Sequence, residues 1–408
     1  MLSLWKEKDF LKLWTANIVA SFGGQALGLA LSVYVFQLTQ SALASGTMLV
    51  AGTLPGLLLG GVGGIYADRL ERRSLMVWVN VLRALLVGSL VYVRGLEDLW
   101  WVYAVAFLQS ALIQFFTPAE QALIPLLVPP KKLLEANASN TVALQVVRLI
   151  APALGGTLVA FFGLGWVAAL GASGFLLSSV LISLIRYRSR AKGLESKPPP
   201  FKLALREGLL EVKRNRTARA LLWVSGLDAL KEGALSALFA AFTLGVLSAS
   251  AQQMGFVNSI QAVGGLLAGV LVPRLVARFQ PRAVISVGLA LNGLCLWAIV
   301  TFPSLALTLT LFCLTGIPVT AAYVSAGTLL QQSVADERRG RVFGLQSVAG
   351  SLGFLVSAMA GSLLGDVLGV SPVLSVFVLF DVLAALVAWR MLEPTQNLHI
   401  LPRPEALK

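Results

Sequence analysis

Charged residues are scarce in this chain of 408 residues: they make up 12% of it, whereas hydrophobic residues make up 57%. Soluble domains carry about 25% charged residues, and the mean hydropathy here is +0.81. The composition therefore excludes an ordinary soluble fold and predicts an all-α, polytopic membrane protein. In such a protein the placement of the net charge of +13 matters more than its size, and we expect no nucleic-acid partner.

Histidine and cysteine are nearly absent, which limits the possible chemistry. The single histidine, His399, lies in the C-terminal tail, so an intramembrane hydrolase or metalloenzyme that uses histidine is disfavoured. Cys295 and Cys313 lie in apolar segments without paired spacing and predict neither a disulfide framework nor a metal site. No Gly-x-x-x-x-Gly-Lys-[Ser/Thr] phosphate loop occurs. We expect no enzyme activity, no cofactor and no metal, which leaves an ion gradient as the energy source.

Polar and turn residues divide the chain into twelve apolar segments. At about 1.5 Å per residue, each is long enough to cross a hydrocarbon core of about 30 Å. The first segment is too long for a cleavable signal peptide, and we expect it to be a retained helix. The twelve predicted spans are 9–37, 42–67, 74–93, 99–127, 133–161, 165–187, 217–247, 252–276, 282–301, 304–333, 341–366 and 372–392.

The positions of lysine and arginine predict the orientation. Of the 32 such residues, 28 lie at the N-terminus, at the even-to-odd turns or at the C-terminal end. Arg94 lies on the opposite side, and Arg83, Arg148 and Lys231 lie within the predicted spans. Because positive charge accumulates in cytoplasmic loops, both termini are expected to be cytoplasmic.

One long, basic connection between Arg186 and Arg219 divides the chain. We predict an N-terminal six-helix bundle over 1–190, a cytoplasmic linker with an amphipathic helix over 191–216, and a C-terminal six-helix bundle with a short tail over 217–408. The linker helix could lie on the anionic membrane surface or be solvated on all sides. Its apolar face consists of Phe201, Leu205, Leu209 and Val212.

The two halves have the pattern of diverged parallel repeats. Leu123–Ala138 aligns at an offset of 206 residues with Leu329–Gly344, and Val128 and Val334 close the fourth and tenth segments. This predicts two six-helix bundles related by an axis along the membrane normal.

The turn between the second and third segments reads Gly64-Ile65-Tyr66-Ala67-Asp68-Arg69-Leu70-Glu71-Arg72-Arg73. Its pattern, Gly-x-x-x-Asp-Arg-x-x-Arg-Arg, resembles the corresponding loop of the major facilitator superfamily of secondary transporters. A carboxylate at a helix end followed by arginines can lock two helix termini and release them when they slide apart. We interpret the charged turn as a gating loop, although basic turns also serve as plain cytoplasmic anchors. Its residues are Gly64, Asp68, Arg69, Arg72 and Arg73.

Other motifs are similar to the macrolide-efflux and siderophore-export branch of that superfamily. They are Glu71 in the charged turn, Phe116-Thr117-Pro118-Ala119, and Arg339-Gly340-Arg341-Val342-Phe343-Gly344. The resemblance implies a multidrug-resistance antiporter of the bacterial cytoplasmic membrane, which we expect to be a monomer. Gln109 departs from the pattern, because many antiporters carry an arginine there.

The fifth segment contains Ala151-Pro152-Ala153-Leu154-Gly155-Gly156, which resembles the antiporter motif Gly-Pro-x-x-Gly-Gly and so implies export. Pro152 removes a backbone donor and the glycines permit a bend, so this is a candidate hinge.

Glycine or serine recurs every four residues in three other segments, and such ladders of small residues allow close backbone approach. In major facilitators the second helix faces the eleventh and the fifth faces the eighth. We therefore expect moving interfaces there, with static packing as the alternative. The residues concerned are Gly56 and Gly60 with Gly64, Gly353 and Gly361, and Gly265 and Gly269.

Titratable groups inside the membrane are the candidates for proton coupling. Asp228, Lys231 and Glu232 share the middle of the seventh segment, and each charge would cost about 2.5–3.5 kcal/mol at the bilayer centre unless paired. Asp228 and Lys231 could merely neutralise each other, which leaves Glu232 without an assigned partner. Arg148 and Glu120 complete the predicted coupling set, whereas Arg83 and Asp381, on usually peripheral helices, are expected to form structural pairs.

Uncharged amides among apolar residues suit a sizeable amphipathic solute. The predicted substrate cavity includes Gln25, Gln114, Gln145 and Gln261, although each amide could instead bond between helices.

Together these features predict an exporter of hydrophobic or amphipathic small molecules that works by alternating access in exchange for protons. Its expected partners are membrane lipids, the small-molecule substrate and protons. Two alternatives stay open: a siderophore or lipid exporter of the same fold, and a membrane receptor or scaffold that does not transport.

Overall fold

A computed structural model describes residues 4–187 and 201–394, which are almost entirely helical. Helices suit a membrane because each satisfies its backbone hydrogen bonds internally. The helices of the described part are α1 (Lys8–Thr39), α2 (Ala42–Arg69), α3 (Arg72–Gly88), α4 (Leu99–Leu127), α5 (Leu133–Phe162), α6 (Leu164–Ser183), α7 (Phe201–Arg214), α8 (Arg216–Ala240), α9 (Ala251–Arg278), α10 (Pro281–Thr301), α11 (Leu305–Ser333), α12 (Asp336–Leu368) and α13 (Val370–Met391).

Each of the twelve predicted segments coincides with one of these helices. Within the described chain, eleven helical segments are long and apolar enough to cross a membrane. Helix α9 matches the predicted span 252–276, but some of its side chains, between residues 269 and 277, lie outside the described set. The number of crossings therefore stays a prediction.

The described residues form two compact units. The first draws on Met1–Lys197 and Thr243–Ser259, and the second on Pro198–Phe242 and Ile260–Lys408. The hairpin between α8 and α9 thus packs with the first unit, where the backbone of Gly245 lies against Phe36. The predicted boundaries, 1–190, 191–216 and 217–408, place that hairpin in the C-terminal bundle.

The first unit has an apolar core contributed by α1, α3, α4 and α6. Phe10, Leu13, Met76, Leu123 and Ile182 are among its buried members.

Polar contacts at the start of α1 fasten it to the rest of the first unit. Asp9 accepts hydrogen bonds from the backbone N–H groups of Arg186 and Tyr187, at 3.0 and 3.3 Å. Glu7 pairs with Lys132 at 2.9 Å. The N-terminus of α1 is therefore joined both to the end of α6 and to the connection between α4 and α5.

The second unit packs α8, α10, α11 and α13 around Leu221, Ile285, Leu289, Leu330 and Ala388. The lengths of the helices match the thickness of a bilayer, whereas the packing of helix faces determines which residues are buried. In both units many large side chains at the surface are apolar, as expected for helices that contact lipid.

The linker helix α7 packs on the core of the second unit, and its place at the membrane surface or in solvent stays a prediction. Val212 is buried in that core, and Gly208 lies against the backbone of Arg341 on α12. Glu211 pairs with Arg338 at 2.6 Å. Of the predicted apolar face, Leu209 is exposed, while the side chains of Phe201 and Leu205 lie outside the described set. One face of α7 therefore packs on protein, because the glycine permits close approach.

Two turns repeat at the offset found in the sequence. Gly163, between α5 and α6, has φ 79°, and Gly369, 206 residues later between α12 and α13, has φ 90°. Each glycine ends one helix and begins the next, in a backbone conformation that side chains rarely adopt. Val128 and Val334, also 206 residues apart, end α4 and α11 in extended conformation. The local geometry supports an internal repeat.

The charged turn is shorter than predicted, because α2 continues to Arg69 and α3 begins at Arg72. Glu71 caps α3 by accepting a hydrogen bond from the backbone N–H of Ser74 at 2.8 Å, which satisfies one of the donors left open at a helix start. The side chains of Asp68 and Arg69, and the surroundings of Gly64, lie outside the described set.

Close contact between α8 and α12 depends on Gly233. A Cβ atom at this position would collide with the carbonyl oxygen of Phe354 and the hydroxyl of Ser357. We expect Gly233→Ala to lower the free energy of unfolding by about 1–3 kcal/mol through overpacking. The matched control is Gly226→Ala on the same helix, where a Cβ would meet nothing within 4 Å. Equal unfolding midpoints of the two purified variants in detergent would contradict this contact.

Candidate functional site

A buried lysine in α8 brings three carboxylates together in the second unit. The Lys231 ammonium lies 3.1 Å from Asp228 Oδ1, 3.2 Å from Glu232 Oε2 and 3.6 Å from Asp381 Oδ2. Asp228 and Lys231 share a face of α8 because residues three apart are neighbours on a helix. Asp381 comes from α13. We call these four residues the Lys231 cluster.

Neutral side chains from three helices surround the cluster. The hydroxyl of Tyr323, on α11, donates to Asp228 Oδ2 at 2.6 Å, and Nδ2 of Asn292, on α10, donates to Asp381 Oδ2 at 2.5 Å. On α8 itself, the hydroxyl of Ser236 donates to Glu232 Oε1 at 3.3 Å. These donors stabilise negative charge and fix the carboxylates in place.

The three carboxylates differ in their access to solvent. The Asp381 side chain is 0% exposed and that of Asp228 is 14% exposed, whereas that of Glu232 is 46% exposed. The Lys231 side chain is only 3% exposed. Glu232 is therefore the most accessible of the three carboxylates, whereas Asp381 is enclosed by its neighbours.

The charges of the cluster do not balance when all its groups are ionised, because three carboxylates surround one ammonium. An uncompensated charge away from water is costly, and a buried acid commonly avoids that cost by taking up a proton. The arrangement therefore suits reversible proton binding better than a single neutralised pair would.

Asp381 was expected to form a structural pair, and its partners are Lys231 of the cluster and Asn292. Its carboxylate belongs to the cluster because α13 packs directly against α8 and α10. Tyr323 and Asn292 were not singled out in the sequence. The sequence could have marked Asp381 as a site candidate, because an isolated acid within an apolar segment is commonly functional.

Only part of the predicted coupling set meets in this cluster. Asp228, Lys231 and Glu232 are joined in it, and Lys231 is the partner that Glu232 lacked. Glu120 lies on α4 in the first unit and accepts a hydrogen bond from Asn17 Nδ2 at 2.5 Å. Arg148 lies on α5, also in the first unit, with an exposed side chain.

Arg83 is buried in the first unit, where no ion pair to a carboxylate is found among the described residues. Its Nε donates to Gln109 Oε1 at 2.9 Å, and its guanidinium stacks on Phe175 with 4.0 Å to the ring centroid. Asn80 accepts a weak bond from Nη1 at 3.4 Å and itself donates to Ser178 at 2.9 Å. The expected charge pair is thus replaced by a neutral network that joins α3, α4 and α6.

The predicted cavity amides differ in exposure. Gln25 and Gln261 are exposed, whereas Gln114 and Gln145 are half-buried. Gln114 Nε2 donates to the carbonyl oxygen of Ser110 at 3.2 Å. The same side chain is the nearest group to Gly56 and Gly60, where added Cβ atoms would lie 3.6 and 3.7 Å from it.

The candidate hinge of α5 is in backbone contact with two neighbours of the first unit. A Cβ at Gly155 would lie 2.6 Å from the carbonyl oxygen of Ala26 on α1, and one at Gly156 would collide with that of Ala251 on α9. From α9, a Cβ at Gly255 would lie 2.5 Å from the carbonyl oxygen of Pro152. The motif thus provides smooth surfaces for α1 and α9.

A hydrogen bond accompanies this contact. The backbone N–H of Ala153, next to the helix-breaking proline, donates to Ser259 Oγ on α9 at 3.1 Å.

The other glycines face helices of their own unit. Gly265 lies beside Thr320 of α11, and its expected contact with α5 stays a prediction. Gly353 and Gly361 lie against Ala229 and Ala234 of α8, and Gly269 lies outside the described side chains.

Within the described part of the charged turn, Arg72 Nη1 donates to the carbonyl oxygen of Ala122 on α4 at 3.1 Å. Arg73 is half-buried. The turn is therefore tied to α4, and its role as a lock stays a prediction.

Comparison with known proteins provides an independent line of evidence about the family of this chain. Residues 2–394 match the family model described as transmembrane secretion effector. Macrolide efflux protein A of Streptococcus pyogenes is 24% identical over 90% of this chain and 91% of its own length. An uncharacterised MFS-type transporter of Bacillus subtilis, YfiS, is 26% identical over 90% of this chain and 88% of its own length.

Solved structures share the fold. A bacterial homologue of the lysosomal transporter Spinster, in an inward-facing and unoccupied conformation, matches with a TM-score of 0.74 and 16% identity over 93% of this chain and 95% of its own. A bacterial homologue of the iron transporter ferroportin, in an inward-facing state, matches with a TM-score of 0.73 and 21% identity over 93% of this chain and 97% of its own.

For the described residues, no group of three or more His, Cys, Asp or Glu suited to a metal ion is found.

Removal of the buried cation should destabilise the second unit. We expect Lys231→Met to lower the free energy of unfolding by about 3–5 kcal/mol, because it leaves buried carboxylates uncompensated. Adding Asp228→Asn should recover part of the loss. The control is Lys213→Met, at an exposed position of α7, and the measurement is chemical unfolding in detergent. If the single variant matched wild type, the charges would not be compensated by Lys231.

Proposed function

Because the chain belongs to the major facilitator family of transmembrane secretion effectors, in its macrolide-efflux branch, we propose that it exports hydrophobic or amphipathic small molecules in exchange for protons. The protein is a multi-pass membrane transporter and not an enzyme. The main observation in support of the proposed proton coupling is that three carboxylates surround the single ammonium of Lys231.

In the proposed mechanism, Glu232 binds and releases the transported proton with the assistance of Asp228. Low-dielectric surroundings favour the neutral form of a carboxyl, whereas a nearby ammonium favours the charged form. Glu232 lies 3.2 Å from Lys231 and is 46% exposed. A small movement of α8 therefore changes both its exposure and its distance from the ammonium. A conformational change can therefore load and release a proton.

The proposed substrate is macrolide-like, large and amphipathic. The relatives named macrolide efflux protein A support this class, and so do the exposed amides Gln25 and Gln261. The gradients of substrate and proton would be coupled by alternating access, which the inward-facing structures of fold neighbours support. In this scheme the contact between α5 and α9 breaks and re-forms, and the charged turn containing Asp68 serves as a lock.

The proposed topology has twelve membrane spans with both termini in the cytoplasm, in the bacterial cytoplasmic membrane. The distribution of lysine and arginine supports this orientation. The proposed partners are lipids, substrate and protons, without nucleic acid, and the transporter acts as a monomer.

Glu232→Gln tests the coupling, because the amide mimics a permanently protonated carboxyl. We expect the variant to bind a macrolide and exchange it between equal pools, but to lose the uphill accumulation that a pH gradient drives. The assay is radiolabelled macrolide flux in proteoliposomes, with and without an imposed gradient. The double variant with Asp228→Asn should behave in the same way.

Glu97→Gln, at an exposed position between α3 and α4, is the matched control and should transport like wild type. Normal uphill accumulation by both the Glu232 variant and the double variant would place the coupling elsewhere, with Glu120 as the next candidate. Absence of any macrolide flux in wild type would favour a siderophore or lipid substrate, or a protein that does not transport.

Gly156→Ala tests the contact between α5 and α9. The new Cβ would collide with Ala251 and Gly255, at a cost of about 1–3 kcal/mol to the conformation in which the helices touch. We expect macrolide transport to fall while the amount of folded protein stays near wild type. Gly28→Ala, where a Cβ meets nothing within 4 Å, is the control. Equal transport by both variants would show that the close contact is not needed for the cycle.

A further inference from the structure

Three buried side-chain oxygen atoms of the Lys231 cluster and its donors have no hydrogen-bond partner. One of them, Oδ1 of Asp228, faces the Lys231 ammonium at 3.1 Å. The other two are Oδ1 of Asp381 and Oδ1 of Asn292. They belong to side chains already joined by the 2.5 Å bond from Asn292 Nδ2 to Asp381 Oδ2. A buried acceptor without a donor has lost its hydrogen bonds to water without replacement, so two on adjacent groups need an explanation.

A single proton on Asp381 would give both oxygen atoms a hydrogen-bond partner. An ionised carboxylate only accepts hydrogen bonds, whereas a protonated one has an O–H donor. With a proton on Oδ1, Asp381 can donate to Asn292 Oδ1 while Asn292 Nδ2 donates to Asp381 Oδ2, which forms a ring of two parallel hydrogen bonds. We propose that Asp381 is a second proton-carrying carboxyl, held as a neutral acid by the amide of Asn292.

The charges that face Asp381 support this assignment. Helix α8 contributes Asp228, Lys231 and Glu232. Together with Asp381, three carboxylates therefore face one cation, Lys231. Two carboxylates lie nearer to Lys231 than Asp381 does: Asp228 at 3.1 Å, which also accepts from Tyr323 of α11, and Glu232, which accepts a hydrogen bond from Lys231 at 3.2 Å. Asp381 lies farther away, at 3.6 Å, and is fully buried.

The remaining neighbours of α13 add no charge near Asp381. On α10 the one permanently charged side chain, Arg282, stacks on Trp389 with 4.1 Å to the ring centroid. Helix α12 has no ionisable residue between Arg341 and Asp366. Electroneutrality of the buried part is therefore reached by one ion pair, Asp228 with Lys231, and one neutral acid.

The inference deepens the proposed function and rests on it for its role in transport. When Asp381 Oδ1–H breaks, the proton passes to the Glu232 carboxylate or to water, and Asp381 becomes a carboxylate. Lys231, already 3.6 Å away, then shifts toward it and away from Asp228. Proton release is thereby linked to a change of ion-pair partner, and so to movement between α8 and α13.

Infrared spectroscopy of the purified full-length protein in detergent tests the protonation directly. Near neutral pH we expect a carbonyl stretching band of a protonated carboxyl that is lost in Asp381→Asn. In Asn292→Ala the band should persist at higher frequency or be lost, because its hydrogen-bond acceptor is gone. The exposed carboxyl of Asp366 provides the control, since Asp366→Asn should leave the band unchanged.

Several results would overturn the assignment. They are the absence of such a band in wild type, its persistence in Asp381→Asn, and its loss in Glu232→Gln alone. Should Asp381→Asn fail to fold, an unchanged band in Asn292→Ala would equally overturn it.

Flux measurements separate the two proposals. Asp381→Asn should keep macrolide exchange between equal pools and lose accumulation driven by a pH gradient. Wild-type flux that is indifferent to the gradient would defeat the proposed coupling but would leave the infrared result on Asp381 intact. Wild-type coupling together with normal uphill accumulation by Asp381→Asn would remove Asp381 from the proton path.

Discussion

A charge within the hydrocarbon core must be compensated within a few ångströms, because no water is present to solvate it. In the second unit this constraint centres on the ammonium of Lys231. Helix α13 supplies Asp381, while α10 and α11 supply the donors Asn292 and Tyr323. These polar contacts restrict the rotation of the helices more than apolar packing alone would, because each has a preferred distance and direction. Such use of buried charge to select one arrangement is known in some proteins, and it is our hypothesis here.

The first unit solves the same problem differently. Its buried cation, Arg83, rests on neutral acceptors and an aromatic face, with Gln109 as the nearest strong partner. None of these partners gains or loses a proton, so the network is suited to a fixed structural role. The positive-φ glycines Gly163 and Gly369 recur at a constant offset, so the two units share local architecture and differ in chemistry. We therefore propose that proton handling takes place in the second unit, where carboxylates outnumber the buried cation.

Most of the fold could be predicted, because bilayer thickness and helix rise together determine segment length. The fourth span was predicted as 99–127, and α4 is Leu99–Leu127. Within the site, Asp228, Lys231 and Glu232 could be grouped because neighbours on one helix follow from their spacing. The addition of Asp381 could not be derived in this way, since it depends on packing between helices about 150 residues apart. The same limit applies to α7 and Gly265, whose neighbours depend on which helix faces meet.

An excess of acid is what makes such a cluster responsive. One lysine with one carboxylate would form a stable, inert pair, whereas competing carboxylates let the cation exchange partners at small cost. That exchange requires α8 to move against its neighbours, and its contact with α12 is lined by Gly233, Gly353 and Gly361. Small residues at a helix interface allow close approach without interlocking side chains. The glycines predicted as a sliding surface would then serve within the second unit, where movement of α8 alters the charge balance around Lys231.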